Sequence, residues 1–183
     1  MRWEERLLDL FDDLEQQAEG LALAGRDAEV AEQSRGEYAR VDLAARLHAS
    51  VGAAVRCEVC GVGRVDARLV SAGDGWCLLG SAAVEWLVRV PAIVTVRGLA
   101  HQGRGVEARP VAARLGWGSA LRGVAETRST VVVQYLNGGS ASGLLGRVGA
   151  DFVELSVGDP PGADGPPTVV PFTAIAAVRS WGV

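Results

Sequence analysis

Apolar residues at Leu7, Leu10, Leu14, Leu21, Ala24, Ala28 and Ala31 recur at a spacing of three and four along a stretch without proline. That spacing lines one face of a helix, so a long amphipathic helix is expected over about residues 3–35. Gln17 interrupts the stripe, and Gly20, Gly25 and Gly36 each cost about 1 kcal/mol relative to alanine. A helix so weakened needs a partner, either the rest of its own chain or the same helix of a second chain. Leu7, Leu10, Leu14 and Leu21 are the candidate contact residues.

After a second short helical stretch, residues 41–49, the period changes. Val55, Cys57 and Val59 alternate with Arg56 and Glu58, and Val65, Ala67 and Leu69 alternate with Arg64, Asp66 and Arg68. This is strand periodicity. Apolar runs at 76–79, 85–90 and 93–96 follow. Strands packed this closely leave no room for crossover helices, which predicts antiparallel hairpins closed into a small barrel or sandwich.

The chain also repeats itself. Sliding it by 76 positions aligns residues 44–79 with 120–155 without a gap, with eight of 36 positions identical, Leu69/Leu145 and Gly73/Gly149 among them. Expected inward positions match in kind as well: Cys57 with Val133, Val59 with Tyr135, and Trp76 with Phe152. After a six-residue insertion in the Pro- and Gly-rich stretch 158–167, Ala92, Ile93, Val96 and Arg97 reappear as Ala174, Ile175, Val178 and Arg179. The expected organisation is an acidic amphipathic helix (1–40), a first barrel (41–98), a linker (99–117) and a second barrel (118–183), a mainly β chain with some α.

Specific residues give this repeat a likeness. Asn137-Gly138 is a type I′ hairpin signal, Gly143-Leu144-Leu145 suits a bent second strand, and Asp151-Phe152-Val153 with Leu155 follows. Ala174-Ile175 with Val178, and Ala92-Ile93 with Val96, are similar to the closing strand of the bacterial Sm-like RNA chaperones. The chain thus resembles the Sm-like superfamily of SH3-like small barrels over about 130 of its 183 residues. The resemblance implies two tandem five-stranded Sm-like antiparallel barrels, each preceded by a short helix, with the long N-terminal helix outside it. It also implies a base-binding Asp and Asn flanking the third strand, but Gly73 and Cys77, then Gly149 and Val153, stand there. The Arg-Gly or Lys-His before the last strand is replaced by Val90-Pro91 and Phe172-Thr173. Such a chain keeps the fold and lacks the family's RNA site, and fold alone does not set function. The resemblance further implies open edges on the fourth and fifth strands, so that one copy can offer its edge to the other and two outer edges remain; with the helix shielding one of these or pairing with the same helix of a second chain, a monomer or homodimer is expected, not a large ring.

Composition narrows the classes. At 183 residues and 49% hydrophobic content the chain can bury a core. Its net charge is −4, and every basic residue is Arg. Residues 1–39 carry 11 acids against four Arg, and residues 40–183 carry 11 acids against 14 Arg. Overall acidity argues against a dedicated nucleic-acid binder. No signal-peptide pattern and no apolar run of membrane-spanning length occurs, so a cytoplasmic setting and no membrane partner are expected.

Three cysteines do not form a disulfide framework. Cys57-x-x-Cys60 has no second pair, and only Cys77, His48 and His101 remain to complete a metal site. Buried free thiols are expected there, with a metal or redox pair as the alternative; no metal and no cofactor are predicted. Nor does any Ser lie in G-x-S-x-G: residues 138–143, GGSASG, carry Ala141 at the centre. Arg56, Arg64 and Arg68 are placed on the outward face of the first hairpin, with Arg147 in the matching region of the second copy. These four are the candidate contacts for phosphate or an acidic partner, although Glu58 and Asp66 share their face. The sequence therefore points to a non-enzymatic binding or assembly module working through protein–protein contacts. The alternative is an RNA- or DNA-associated regulatory protein using the Arg-bearing surface.

Overall fold

The computed structural model describes residues 36, 38–39, 41–101, 114–157 and 166–181. The predicted long helix, with Leu7, Leu10, Leu14 and Leu21, lies outside them. The chain divides into two units, Met1–Val41 and Asp42–Val183, and the strands of the described residues belong to the second.

Asp42 starts that second unit as a helix cap: its carboxylate accepts a hydrogen bond from the Ala45 amide at 2.5 Å, opening α1 (Leu43–Ala49). In β1 (Ala54–Val59) exposed and buried positions alternate, as its sequence demands. Gly61 and Gly63, both at positive φ, turn the chain into β2 (Gly63–Gly73). Then come β3 (Trp76–Gly80), β4 (Val84–Arg89), a 3-10 turn over Val90–Ala92, and β5 (Ile93–Arg97). The second half runs α2 (Trp117–Glu126), β6 (Val131–Tyr135), β7 (Ser140–Val148), β8 (Phe152–Val157), β9 (Thr168–Pro171), a 3-10 turn over Phe172–Ala174, and β10 (Ile175–Trp181).

Two five-stranded barrels are not what these strands build. All ten form one open antiparallel sheet in the order β5-β1-β2-β3-β4-β10-β6-β7-β8-β9. The join is β4 against β10, with Ala177 opposite Val88, Val178 opposite Leu87, and Arg179 opposite Trp86. The reason for the departure is edge chemistry. A five-strand group leaves the outer backbone groups of its fourth and fifth strands unpaired, and pairing them across the halves satisfies both without either group closing on itself. The order of the second five strands nonetheless repeats that of the first, and so does the register. Cys57 faces Val65 as Val133 faces Ala141, Leu69 faces Leu79 as Leu145 faces Leu155, and Cys57 faces Val96 as Val133 faces Val178.

Two cores lie along the sheet, and each borrows from the other half. The first gathers Leu47, Cys57, Leu69, Cys77, Leu79 and Val88, with Ala176 and Ala177 of β10 and the flank of Leu136. The second gathers Trp117, Leu121, Val131, Val133, Leu155 and Ile175, with Leu87 of β4 and the flanks of Trp76 and Leu78. In β4, Val88 serves the first core and Leu87 the second, so this strand is covered on both faces. No helix among the described residues is long and apolar enough to cross a membrane.

Candidate functional site

The four nominated arginines do not assemble. Arg56 and Arg64, on β1 and β2, close on one carboxylate: Arg56 Nε lies 2.5 Å from Asp66 Oδ1 and Arg64 Nε 2.7 Å from Asp66 Oδ2. These hydrogen bonds, Arg56's first, hold the Asp66 carboxyl below the usual carboxylate value. Arg68 donates instead to the Gly52 carbonyl. Arg147 is exposed on β7, separated from β2 by β3, β4, β10 and β6. On the first-half surface two guanidiniums thus share one carboxylate. One opening beside it has charged walls: a groove of about 460 Å³ at the β5 end, lined by Ala54, Arg56, Asp66, Arg97 and Gly98.

The cysteines divide by burial. Cys57 and Cys77 sit in the first core with no exposed surface. Burial, reinforced by the nearby Asp66 charge, pushes the Cys57 thiol up to about 11, and burial with Cys57 beside it pushes Cys77 up to about 12. Cys60 departs from the expected buried thiol. It is exposed at the β1–β2 turn, its Sγ 3.5 Å from the Leu136 carbonyl oxygen. Strand alternation is the cause, since Cys57 points into the core and the turn after Val59 swings Cys60 out. Among the described residues no three His, Cys, Asp or Glu side chains are grouped to hold a metal ion.

Gly73 and Gly149 are the positions where the resemblance would put a base-binding Asp. At both, an aromatic ring occupies the space. A Cβ on Gly73 would meet the Trp76 indole at 2.2 Å, and one on Gly149 would meet the Phe152 ring at 2.4 Å. Trp76 is further held by its Nε1 donating to the Leu115 carbonyl at 2.7 Å.

Two of the fourth- and fifth-strand edges singled out in the sequence lie at the two ends of the sheet. Among the described residues, β5 and β9 each have a neighbour on one side only. Both carry an outward valine, Val94 at 63% and Val169 at 57% exposure. Beside β9 lies a mostly apolar groove of about 360 Å³, lined by Tyr135, Leu136, Asn137, Val169, Pro171 and Ala174. The other two of those edges meet at the β4–β10 join. There the Arg179 guanidinium lies between two indoles, 5.4 Å from the Trp86 ring centre and 5.0 Å from that of Trp181. Arg179 and its two indoles were not among the residues the sequence singled out as a site. No protein-family model matches the chain, and no curated protein matches it in sequence.

Proposed function

We propose that this protein is a non-enzymatic binding and assembly module, of Sm-like descent, that takes up extended protein segments on the free edges of its sheet. The observation that carries this reading is the β9 edge, which has no second strand beside it among the described residues and lies next to an apolar groove with Val169 exposed. A partner strand gains main-chain hydrogen bonds along such an edge and side-chain contacts in the groove. The free thiols of Cys57, Cys60 and Cys77 suit a reducing compartment, which favours a cytoplasmic setting. The test uses a labelled peptide of residues 173–181, which includes the 177–181 stretch paired with β4 within the chain, with fluorescence anisotropy as the readout. Binding that is lost in Val169→Lys is the expected result; no binding overturns the reading.

A nucleic-acid role is the second reading, and the groove holding Arg56 and Arg97 is the observation on its side. Asp66 neutralises much of that surface. A labelled oligouridine titrated in parallel separates the two. Retention of the oligonucleotide at moderate salt, weakened by Arg56→Ala or Arg97→Ala, would favour nucleic acid.

A further inference from the structure

We infer that the groove at the β5 end of the sheet is a binding site for a doubly charged phosphoryl group, free or on a small molecule, held between the guanidiniums of Arg56 and Arg97. The site is separate from the β9 edge and takes a small ligand, not a chain segment.

Three strands assemble it. Arg97 of β5 lies opposite Arg56 of β1, and Arg56 lies opposite Asp66 of β2, so the three side chains form one row on the outward face. Both oxygens of Asp66 are engaged, one by Arg56 and one by Arg64. Arg97 has no carboxylate partner among the described residues. Like charges directly opposite each other on neighbouring strands destabilise a sheet, and an anion between them removes the repulsion. The same face carries Arg68 and, opposite Arg64, Glu58. Arg56, Arg64, Arg68 and Arg97 against Glu58 and Asp66 leave an excess of two positive charges, which one dianion balances.

The second half shows that the fold itself does not require these charges. The offset of 76 carries Arg56, Glu58, Arg64, Asp66 and Arg68 onto Val132, Gln134, Ser140, Ser142 and Leu144. Val132 faces Ser142 as Arg56 faces Asp66, and Arg179 lies opposite Val132 as Arg97 lies opposite Arg56. There the guanidinium of Arg179 is taken up between two indoles. The strand ends differ as well. β10 runs on to Trp181, whereas β5 stops at Arg97 and Gly98 turns away at a φ of 92°. A Cβ on Gly98 would come within 2.5 Å of the Ala54 carbonyl oxygen. At that turn lies the groove of about 460 Å³, where Ala54, Ala67 and Gly98 join Arg56, Arg97 and Asp66 as its lining.

Such a space holds a phosphoryl group with a small organic remainder. A guanidinium offers paired N–H donors that match two phosphate oxygens. Arg56 reaches Asp66 through Nε, which leaves its terminal nitrogens facing other acceptors. A phosphomonoester brings close to two negative charges at neutral pH, whereas a single carboxylate or a phosphodiester brings one. The charge excess therefore fits a monoester or free phosphate better than a nucleic-acid backbone.

Nitrogen-15 NMR on the full chain, titrated with inorganic phosphate at about pH 7.5 and constant ionic strength, tests this. Saturable shifts should appear at the Gly98 amide and at the Nε–H signals of Arg56 and Arg97. Arg97→Ala and Arg56→Ala should each weaken binding at least about tenfold, and Arg97→Lys, which keeps the charge and loses the fork, should fall between. Arg147→Ala, remote on β7, should leave it unchanged. Without phosphate, Arg97→Ala should melt no earlier than the wild type, because the repulsion with Arg56 is gone. Should Arg56→Ala melt early, Arg56→Val, after the residue at the matching place in the second half, replaces it with the same expected outcome. Shifts that do not saturate, or phosphate binding that survives in Arg97→Ala, overturn the site. Malonate, or an oligouridine without a terminal phosphate, binding as tightly as phosphate overturns the ligand assignment.

Discussion

Gly73 and Gly149 show a side chain's absence acting as a packing requirement. Each lies under an aromatic ring that would collide with any Cβ, so Gly73→Ala must displace Trp76 and break its bond to the Leu115 carbonyl. A loss of about 1–3 kcal/mol is expected, the usual cost of overpacking, measured by urea unfolding. Leu69 and Leu145 test the cores from the opposite direction. Both are buried, at 0% and 7% exposure, and replacement of either by Ala should cost about 2–5 kcal/mol. The thiols yield a further prediction. Cys60 should react with a thiol reagent in the native protein, while Cys57 and Cys77 should react only on unfolding. Their folded values of about 11 and about 12 lie above the ordinary 9.0. Below pH 9 the thiols are protonated in both states and their contribution to stability is complete. Above it the unfolded chain ionises first, so stability falls as pH rises towards the folded values. Urea midpoints measured from about pH 8 to about pH 10 should decline, and less steeply in Cys77→Ala.

At the scale of elements, position in the sheet decides what a sequence pattern means. The alternation of β1 was legible because one of its faces meets the core and the other meets solvent. In β10, Ile175, Ala176, Ala177 and Val178 are all buried, a continuous apolar run that marks a strand covered on both faces. Such a run states that a strand is interior and leaves open which neighbours it has. That is why the repeat could be read from Leu69/Leu145 and Gly73/Gly149 while the merging of both halves into one continuous sheet, in place of two barrels, could not. Side-chain patterns specify faces, and edges belong to the backbone, which is nearly the same in every residue. The arginines show the same limit: alternation put Arg56, Arg64 and Asp66 on one face, but the closing of both guanidiniums on a single carboxylate depends on strand register. Hydrogen exchange should rank the strands by place. Amides of β4 and β10 should be the slowest to exchange, and those of β5 and β9 the fastest.

For the whole molecule, the two cores are not separable. Leu87 of the first half completes the second core, and Ala176 and Ala177 of the second half complete the first. The described sheet should therefore unfold in one cooperative transition, with circular dichroism and tryptophan fluorescence giving coincident curves. Leu69→Ala and Leu145→Ala, in different cores, should each shift both curves together.

The β4–β10 seam also changes what the connection between the halves is for. Five register pairs, a guanidinium between two indoles and apolar side chains delivered to both cores already hold the halves together. The peptide link between residues 101 and 114 adds mainly proximity, raising the effective concentration of one half near the other. A chain cut within that stretch should reassemble from its two pieces when they are refolded together, whereas either piece alone would carry an uncovered strand and an incomplete core. In this architecture a covalent bond can be traded for a non-covalent one, and the gene for two proteins that fold only as a pair.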